Sequence, residues 1–291
     1  MSFKTIYEKK YKFLLIIPFI LIVLAIIQIG VQTAVTGDFV NKGISLKGGS
    51  TITVEYDSSI SVQTIESMLN EKFPLAEVSI RVLSSAGKTT AIAIDSDAQD
   101  NDEIDVLVKV VKSELNIKDD QYSVEVMGSS LGTSFFKQTV FALLIAFVLM
   151  GIVVFIYFRT LAPSLAVILA AFSDIVVTLA IFNLTGMKLS TAGIAAFLML
   201  IGYSVDTDIL LSTRVLKRKD GTVMERIYGA MKTGLTMSST TISAVLVALL
   251  FVQSEVVKQI MLILFIGLLV DLIMTWIQNV GVLRIYLERK K

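Results

Sequence analysis

Four aspartates lie within stretches that are otherwise apolar: Asp174, Asp206, Asp208 and Asp271. A carboxylate near the centre of a membrane helix costs about 2.5–3.5 kcal/mol on insertion scales. Apolar surroundings also favour the protonated form of a carboxyl, which suits proton uptake and release near neutral pH. The four acids are therefore candidates for a proton or cation relay. Asp206 and Asp208 are two positions apart and project roughly 200° apart around a helix, so they cannot share one face. The competing reading is structural, with the acids hydrogen-bonding between helices, neutral or paired to Lys232 or Arg214. Thr233, Thr236, Ser238, Ser239, Thr240, Thr241 and Ser243 form a hydroxyl-rich stretch nearby. Of these, Thr233 and Thr240 are candidate polar partners, in packing or along a wet path.

Other chemistry is excluded by composition. The chain has no Cys and no His, so disulfides, thiolate nucleophiles and histidine bases or ligands are absent. No catalytic site, metal or cofactor is expected. Gly87-Lys88-Thr89-Thr90 echoes the end of a phosphate-binding loop, but Val82 stands where its first glycine belongs. A net charge of +1, with the basic residues clustered beside apolar runs, gives no footing for nucleic acid.

The elements that must position the aspartates are legible as apolar runs. Residues 13–29, 139–158, 161–182, 191–211, 235–252 and 260–277 are each long enough to cross a hydrocarbon core about 30 Å thick. The first is preceded by Lys4, Lys9, Lys10 and Lys12 and is expected to be a retained anchor, not a cleaved leader. Those lysines, Arg159, the cluster from Arg214 to Lys232 and the residues from Arg284 to Lys291 all fall on one side, which places both termini in the cytoplasm. The stretch 222–232 is amphipathic and reads as an interfacial helix. Between the first and second runs, residues 31–135 form the long hydrophilic segment, expected outside the cell membrane. Alternation predicts strands over 51–56, 78–83, 89–94 and 122–126, with a hairpin turn at 84–88. Helical spacing predicts helices over 60–73 and 104–115. The expected fold is thus a polytopic α-helical membrane protein of six spans with an α+β, ferredoxin-like βαββαβ domain. Its parts are an N-terminus and first span (1–30), an extracytoplasmic domain (31–135) and a five-helix bundle (136–291).

Three motifs add a family resemblance covering essentially the whole chain. Gly43-Ile44-Ser45-Leu46-Lys47-Gly48-Gly49 resembles the Gly-Ile-Asp-Phe-x-Gly-Gly signature of the SecF family after its first span. Gly202-Tyr203-Ser204-Val205-Asp206-Thr207-Asp208, followed by Arg214, resembles that family's fourth-span signature, and Ser239-Thr240-Thr241 its fifth-span element. The resemblance implies a member of the resistance-nodulation-division superfamily that pairs with SecD and helps unfolded polypeptides through a SecY-type translocon, drawing on the proton gradient. Aligned without gaps, the family's relay aspartate falls on Thr207 and its arginine near Thr233, beside Lys232. The relay is therefore expected to be rewired through Asp206 or Asp208 with Asp271, or else weakened or lost. Ser45 in place of the motif's aspartate suggests an archaeal-type branch. Two other readings compete: a structural or chaperone-like assembly subunit without ion coupling, and half of a small-molecule exporter of the same superfamily.

Overall fold

The computed structural model describes residues 3–290 except 56–60, 74, 75, 77, 86, 87, 116, 119, 120 and 253. Helices α1 (Phe3–Lys9), α2 (Tyr11–Leu14) and α3 (Ile16–Thr36) lead to a short turn of helix, α4 (Ile44–Lys47). An α+β unit follows: β1 (Gly49–Glu55), α5 (Val62–Lys72), β2 (Ser79–Ser85), β3 (Lys88–Ser96), α6 (Asn101–Leu115) and β4 (Tyr122–Met127). The rest is helical: α7 (Ser129–Phe158), α8 (Leu161–Leu184), α9 (Thr191–Lys217), α10 (Val223–Phe251) and α11 (Glu255–Ile273). A π-helical segment (Met274–Asn279) then passes into α12 (Val280–Lys290). Among the described residues, six helical stretches are long and apolar enough to cross a membrane.

The four strands pair antiparallel in the order β2-β3-β1-β4. Ile52 pairs with Ile94 on one side and Val124 on the other, so one face of the sheet is aliphatic. Ile65 and Leu69 of α5 and Ile104, Leu107, Val108 and Val111 of α6 belong to the same buried core. Their spacing of three and four residues gives each helix a single apolar stripe. On the opposite face Asp95 accepts hydrogen bonds from Arg81 Nη2 and Thr51 Oγ1, both at 2.8 Å. The expected hairpin tip at Ala86–Gly87, the strand end at Tyr56 and the helix start at Ile60 lie outside the described residues.

Two differences from the sequence reading have physical causes. The stretch 222–232 is not a separate interfacial helix but the first turns of α10. Thr222 and Glu225 form a reciprocal capping box there, and no proline interrupts the remaining turns of the helix. The last span also runs past residue 277, because the π segment absorbs one wide turn and α12 continues it.

The α+β unit is joined to the bundle by close backbone approach. The Gly43 N–H donates to Leu189 O at 2.8 Å, and Lys42 and Leu189 form a parallel bridge. Gly48 has φ +93°, and a Cβ there would lie 2.5 Å from Ser129 Cα at the start of α7. Gly132 meets the Gly48 nitrogen from the other side. Gly49 also has a positive φ, and a Cβ would strike the Ser96 carbonyl. Gln259 of α11 secures the α8–α9 turn: its Nε2 donates to Lys188 O at 2.7 Å, and its Oε1 accepts from the Ser190 N–H at 3.0 Å. Gly48→Ala faces both backbone strain and a backbone clash. It should destabilise the protein by roughly 2 kcal/mol or more, read as a lowered thermal midpoint of the purified protein in detergent. An unchanged midpoint would contradict the close approach described.

Candidate functional site: a carboxyl cluster inside the bundle

Helices α8, α9 and α11 bring three aspartates into one polar network. Asp174, Asp208 and Asp271 are at most 1% exposed. The Ser204 hydroxyl of α9 donates to Asp174 Oδ2. One turn further along α9, Asp208 Oδ1 accepts from Asn279 Nδ2 at 2.7 Å and lies 3.0 Å from Thr275 Oγ1. Thr275 Oγ1 is also 2.9 Å from Asp271 Oδ1. A threonine hydroxyl has one hydrogen, so it can donate to only one of these two carboxyls at a time. The other contact is a hydrogen bond when that carboxyl carries a proton and donates to the threonine oxygen. The geometry therefore links Asp208 and Asp271 through a single exchangeable hydrogen position.

The π segment supplies this arrangement. Asp271, Thr275, Gln278 and Asn279 follow one another at helical intervals, and the wider turn packs the last three against α8 and α9. Gln278 Nε2 donates to Ser173 Oγ at 3.0 Å, and Ser173 in turn donates to Leu169 O at 2.6 Å. π turns frequently occur at functional sites, since they displace side chains by one position relative to an α-helix. Asp174 Oδ1, Asp208 Oδ2, Thr178 Oγ1 and Ser212 Oγ are buried without a protein hydrogen-bond partner. Among the described residues, no lysine or arginine forms an ion pair with any of the three carboxyls.

The other sequence candidates lie elsewhere. Asp206 is exposed on the opposite face of α9, beside exposed Gly202 and Tyr203, while Ser204 points inward. Arg214 Nη1 donates to Gly229 O at 2.6 Å, and Thr233 Oγ1 donates to the same carbonyl at 3.4 Å. Lys232 is exposed on α10. Thr240, also exposed, donates back to Met237 O at 2.8 Å. Gly43, Gly48 and Gly49 serve the junction with the α+β unit. Thr275, Gln278 and Asn279 were missed in the sequence, although their spacing from Asp271, at i+4, i+7 and i+8, is a helical polar stripe. Ending the last span at residue 277 hid two of the three.

Six apolar helices around a buried carboxyl network, with an α+β unit between the first and second, define a polytopic membrane protein whose polar core lies within its bundle. Residues 107–289 match the family described as protein export membrane protein SecD/SecF, C-terminal. The chain is 39% identical to the protein-export membrane protein SecF of Pyrococcus furiosus, over 99% of its own length and 95% of that relative. It is 40% identical to the SecF of Methanothermobacter thermautotrophicus, over 96% of its length and 94% of the relative. This chain belongs to the SecF family, and these relatives are archaeal. Its fold also matches the crystal structure of SecDF, a translocon-associated membrane protein from Thermus thermophilus, with a TM-score of 0.77 at 21% identity. That match covers 97% of this chain but only 38% of the SecDF chain.

Removing the charge from one buried carboxyl tests how the network is held. Asp174→Asn keeps an acceptor for Ser204 and removes an ionisable group from an apolar core. The thermal midpoint should rise or stay level; a loss of about 2 kcal/mol or more would show that the carboxyl itself holds the bundle together.

Proposed function

We propose that this protein is an accessory subunit of the Sec protein-export machinery that couples ion movement at the buried carboxyls to the passage of unfolded polypeptide. The observation that carries the coupling is the set of three buried aspartates that form no ion pair with a lysine or arginine among the described residues. A purely structural network would gain more from neutral amides, because an unpaired carboxylate in an apolar core is costly. The coupling ion in this reading is the proton, exchanged through Asp208, Asp271 and Asp174. The α+β unit is read as a ferredoxin-like extracytoplasmic domain within residues 31–135, with residues 1–30 and 136–291 forming the membrane part and both termini cytoplasmic. It would meet the emerging chain beside a SecY-type channel.

Pairing with a SecD-type partner is supported by two observations. This chain corresponds to 38% of the SecDF chain that it matches, which leaves room for a second bundle in such an assembly. It also exposes polar groups on an apolar surface: Asp206 and Tyr203 on α9, with Thr236, Ser239, Thr240 and Ser243 on α10. The hydroxyls of Thr236, Thr240 and Ser243 bond to carbonyls of their own helix, which lets another helix approach closely. Asp206 has no such relief, and a protein partner would shield it from lipid.

Two measurements test this. Affinity capture of the tagged chain from native membranes in mild detergent should recover a SecD-type protein; recovery of the chain alone, or with an unrelated transporter, rejects the pairing. Asp208→Asn should lower secretion at least tenfold while membrane abundance is unchanged. Normal secretion by Asp208→Asn and Asp271→Asn together would reject coupling and favour the assembly-subunit reading.

A further inference from the structure

The π segment is fixed from the N-terminal end of the chain as well as by its own bundle. Tyr7 of α1 is 8% exposed, and its hydroxyl donates to Trp276 O at 2.8 Å across 269 residues of sequence. Trp276 directly follows Thr275, whose hydroxyl lies between Asp208 and Asp271. Burial pushes the Tyr7 hydroxyl above its ordinary pKa, with Arg284 only partly opposing, so it stays a donor over any physiological pH. The Trp276 ring is wedged where a Cβ on Gly234 would sit, close to Thr207. A wide turn is less tightly closed by its own hydrogen bonds than an α-helix, so outside contacts matter more to its geometry.

Helix α1 is itself held in place. Arg284 of α12 donates to Tyr7 O at 3.0 Å and to Glu8 O at 2.8 Å, capping the last carbonyls of α1. The same guanidinium stacks 3.7 Å from the Tyr11 ring centroid. Tyr228 of α10 donates to Glu8 Oε1 at 3.0 Å, and its ring lies 6.3 Å from that of Tyr7. The groups facing the assembly are thus Tyr7 and Glu8 from α1, Tyr11 and Lys12 from α2, Tyr228 from α10, Arg284 and Glu288 from α12, and the carboxyls from α8, α9 and α11. Helix α3, which also touches the π segment, carries no charged residue.

We propose that Tyr7 is a positioning residue for the buried carboxyls: through Trp276 O it fixes the π turn so that Thr275 and Asn279 remain on Asp208 and Asp271. This inference rests on the coupling role given to those carboxyls under Proposed function. A change in the carboxyl hydrogen bonds then reaches the N-terminal helix through one residue, and a displacement of that helix reaches the carboxyls by the same path.

Trp276 is the chain's single tryptophan, so its fluorescence reports on the π turn without engineering. The experiment uses the full chain in lipid nanodiscs and follows two signals across a pH titration. The infrared C=O stretch of protonated carboxyls reports the aspartates, and Trp276 emission reports the turn. In the wild type both should change together. Thr275→Val should displace the infrared midpoint, and Tyr7→Phe should displace it in the same direction by about half a pH unit, roughly threefold in proton affinity. Tyr7→Phe should also at least halve the emission change. Tyr11→Phe, which keeps the ring under Arg284, should leave both signals as in the wild type. If the aspartates titrate but Tyr7→Phe moves neither signal, the positioning role is overturned and the coupling reading stands. If no buried carboxyl titrates in the wild type, the coupling reading falls and this inference falls with it.

Discussion

An apolar bundle holds little water for a carboxyl, so each buried aspartate is met by a hydroxyl or amide from a neighbouring helix or from the next turn of its own. That constraint orders much of the inner structure. Ser204 is placed one turn from Asp208, so that a single face of α9 presents a donor for Asp174 and an acid of its own. The last span departs from α-helical geometry just where Thr275 and Asn279 are needed, and the Trp276 ring within that segment fills the space a side chain on Gly234 would take. Since an unpaired buried polar atom costs more than a well-made hydrogen bond contributes, small errors in this region are penalised heavily. The network consequently draws in contacts as distant in sequence as Tyr7.

The buried and exposed faces of α9 show how two neighbouring acids come to have different surroundings. Asp206 and Asp208 are nearly opposite around the helix, and only Asp208 joins the network. Thr207 lies between them, buried, with its hydroxyl returned to Tyr203 O at 3.2 Å. Its methyl faces the Trp276 and Gly234 contact. The exposed side of α9 is therefore separated from the carboxyl network by a few tightly packed atoms, and a change on either side is felt across a short distance.

Much of the layout was legible in the sequence because membrane spans and half-buried strands are written in hydropathy, a signal carried by many residues at once. The six apolar runs, the strands around Ile52 and Ile94 and the helix from Ile104 to Val111 belong to that kind. Helical geometry alone also separated Asp206 from Asp208. What could not be read depends on single atoms. Nothing in the residue types between Ile273 and Val280 announces a π turn, and without it Asn279 reads as lying beyond the membrane span. Arg214 and Lys232 were natural counter-charges by type and position. Yet Arg214 spends its guanidinium on the Gly229 carbonyl, and Lys232 faces outward. The glycine motif from Gly43 to Gly49 was recognisable as a pattern, but its reason, backbone meeting backbone at Leu189, Ser96 and Ser129, exists only in three dimensions.

Helix α7 begins against Gly48 at the base of the α+β unit and runs without interruption through 30 residues. At 1.5 Å per residue it is a rod about 45 Å long. Its far end stops at Arg159, held in a left-handed conformation, and Tyr157 and Phe158 there pack around Lys217 of α9. A rod pivoting at that end by about 10° would carry its opposite tip, beside Gly48, roughly 8 Å, by the same helical dimensions. The glycines at the junction leave almost no slack to absorb such a swing. The α+β unit is therefore mounted at the free end of a lever whose pivot rests on the helix that carries Asp208.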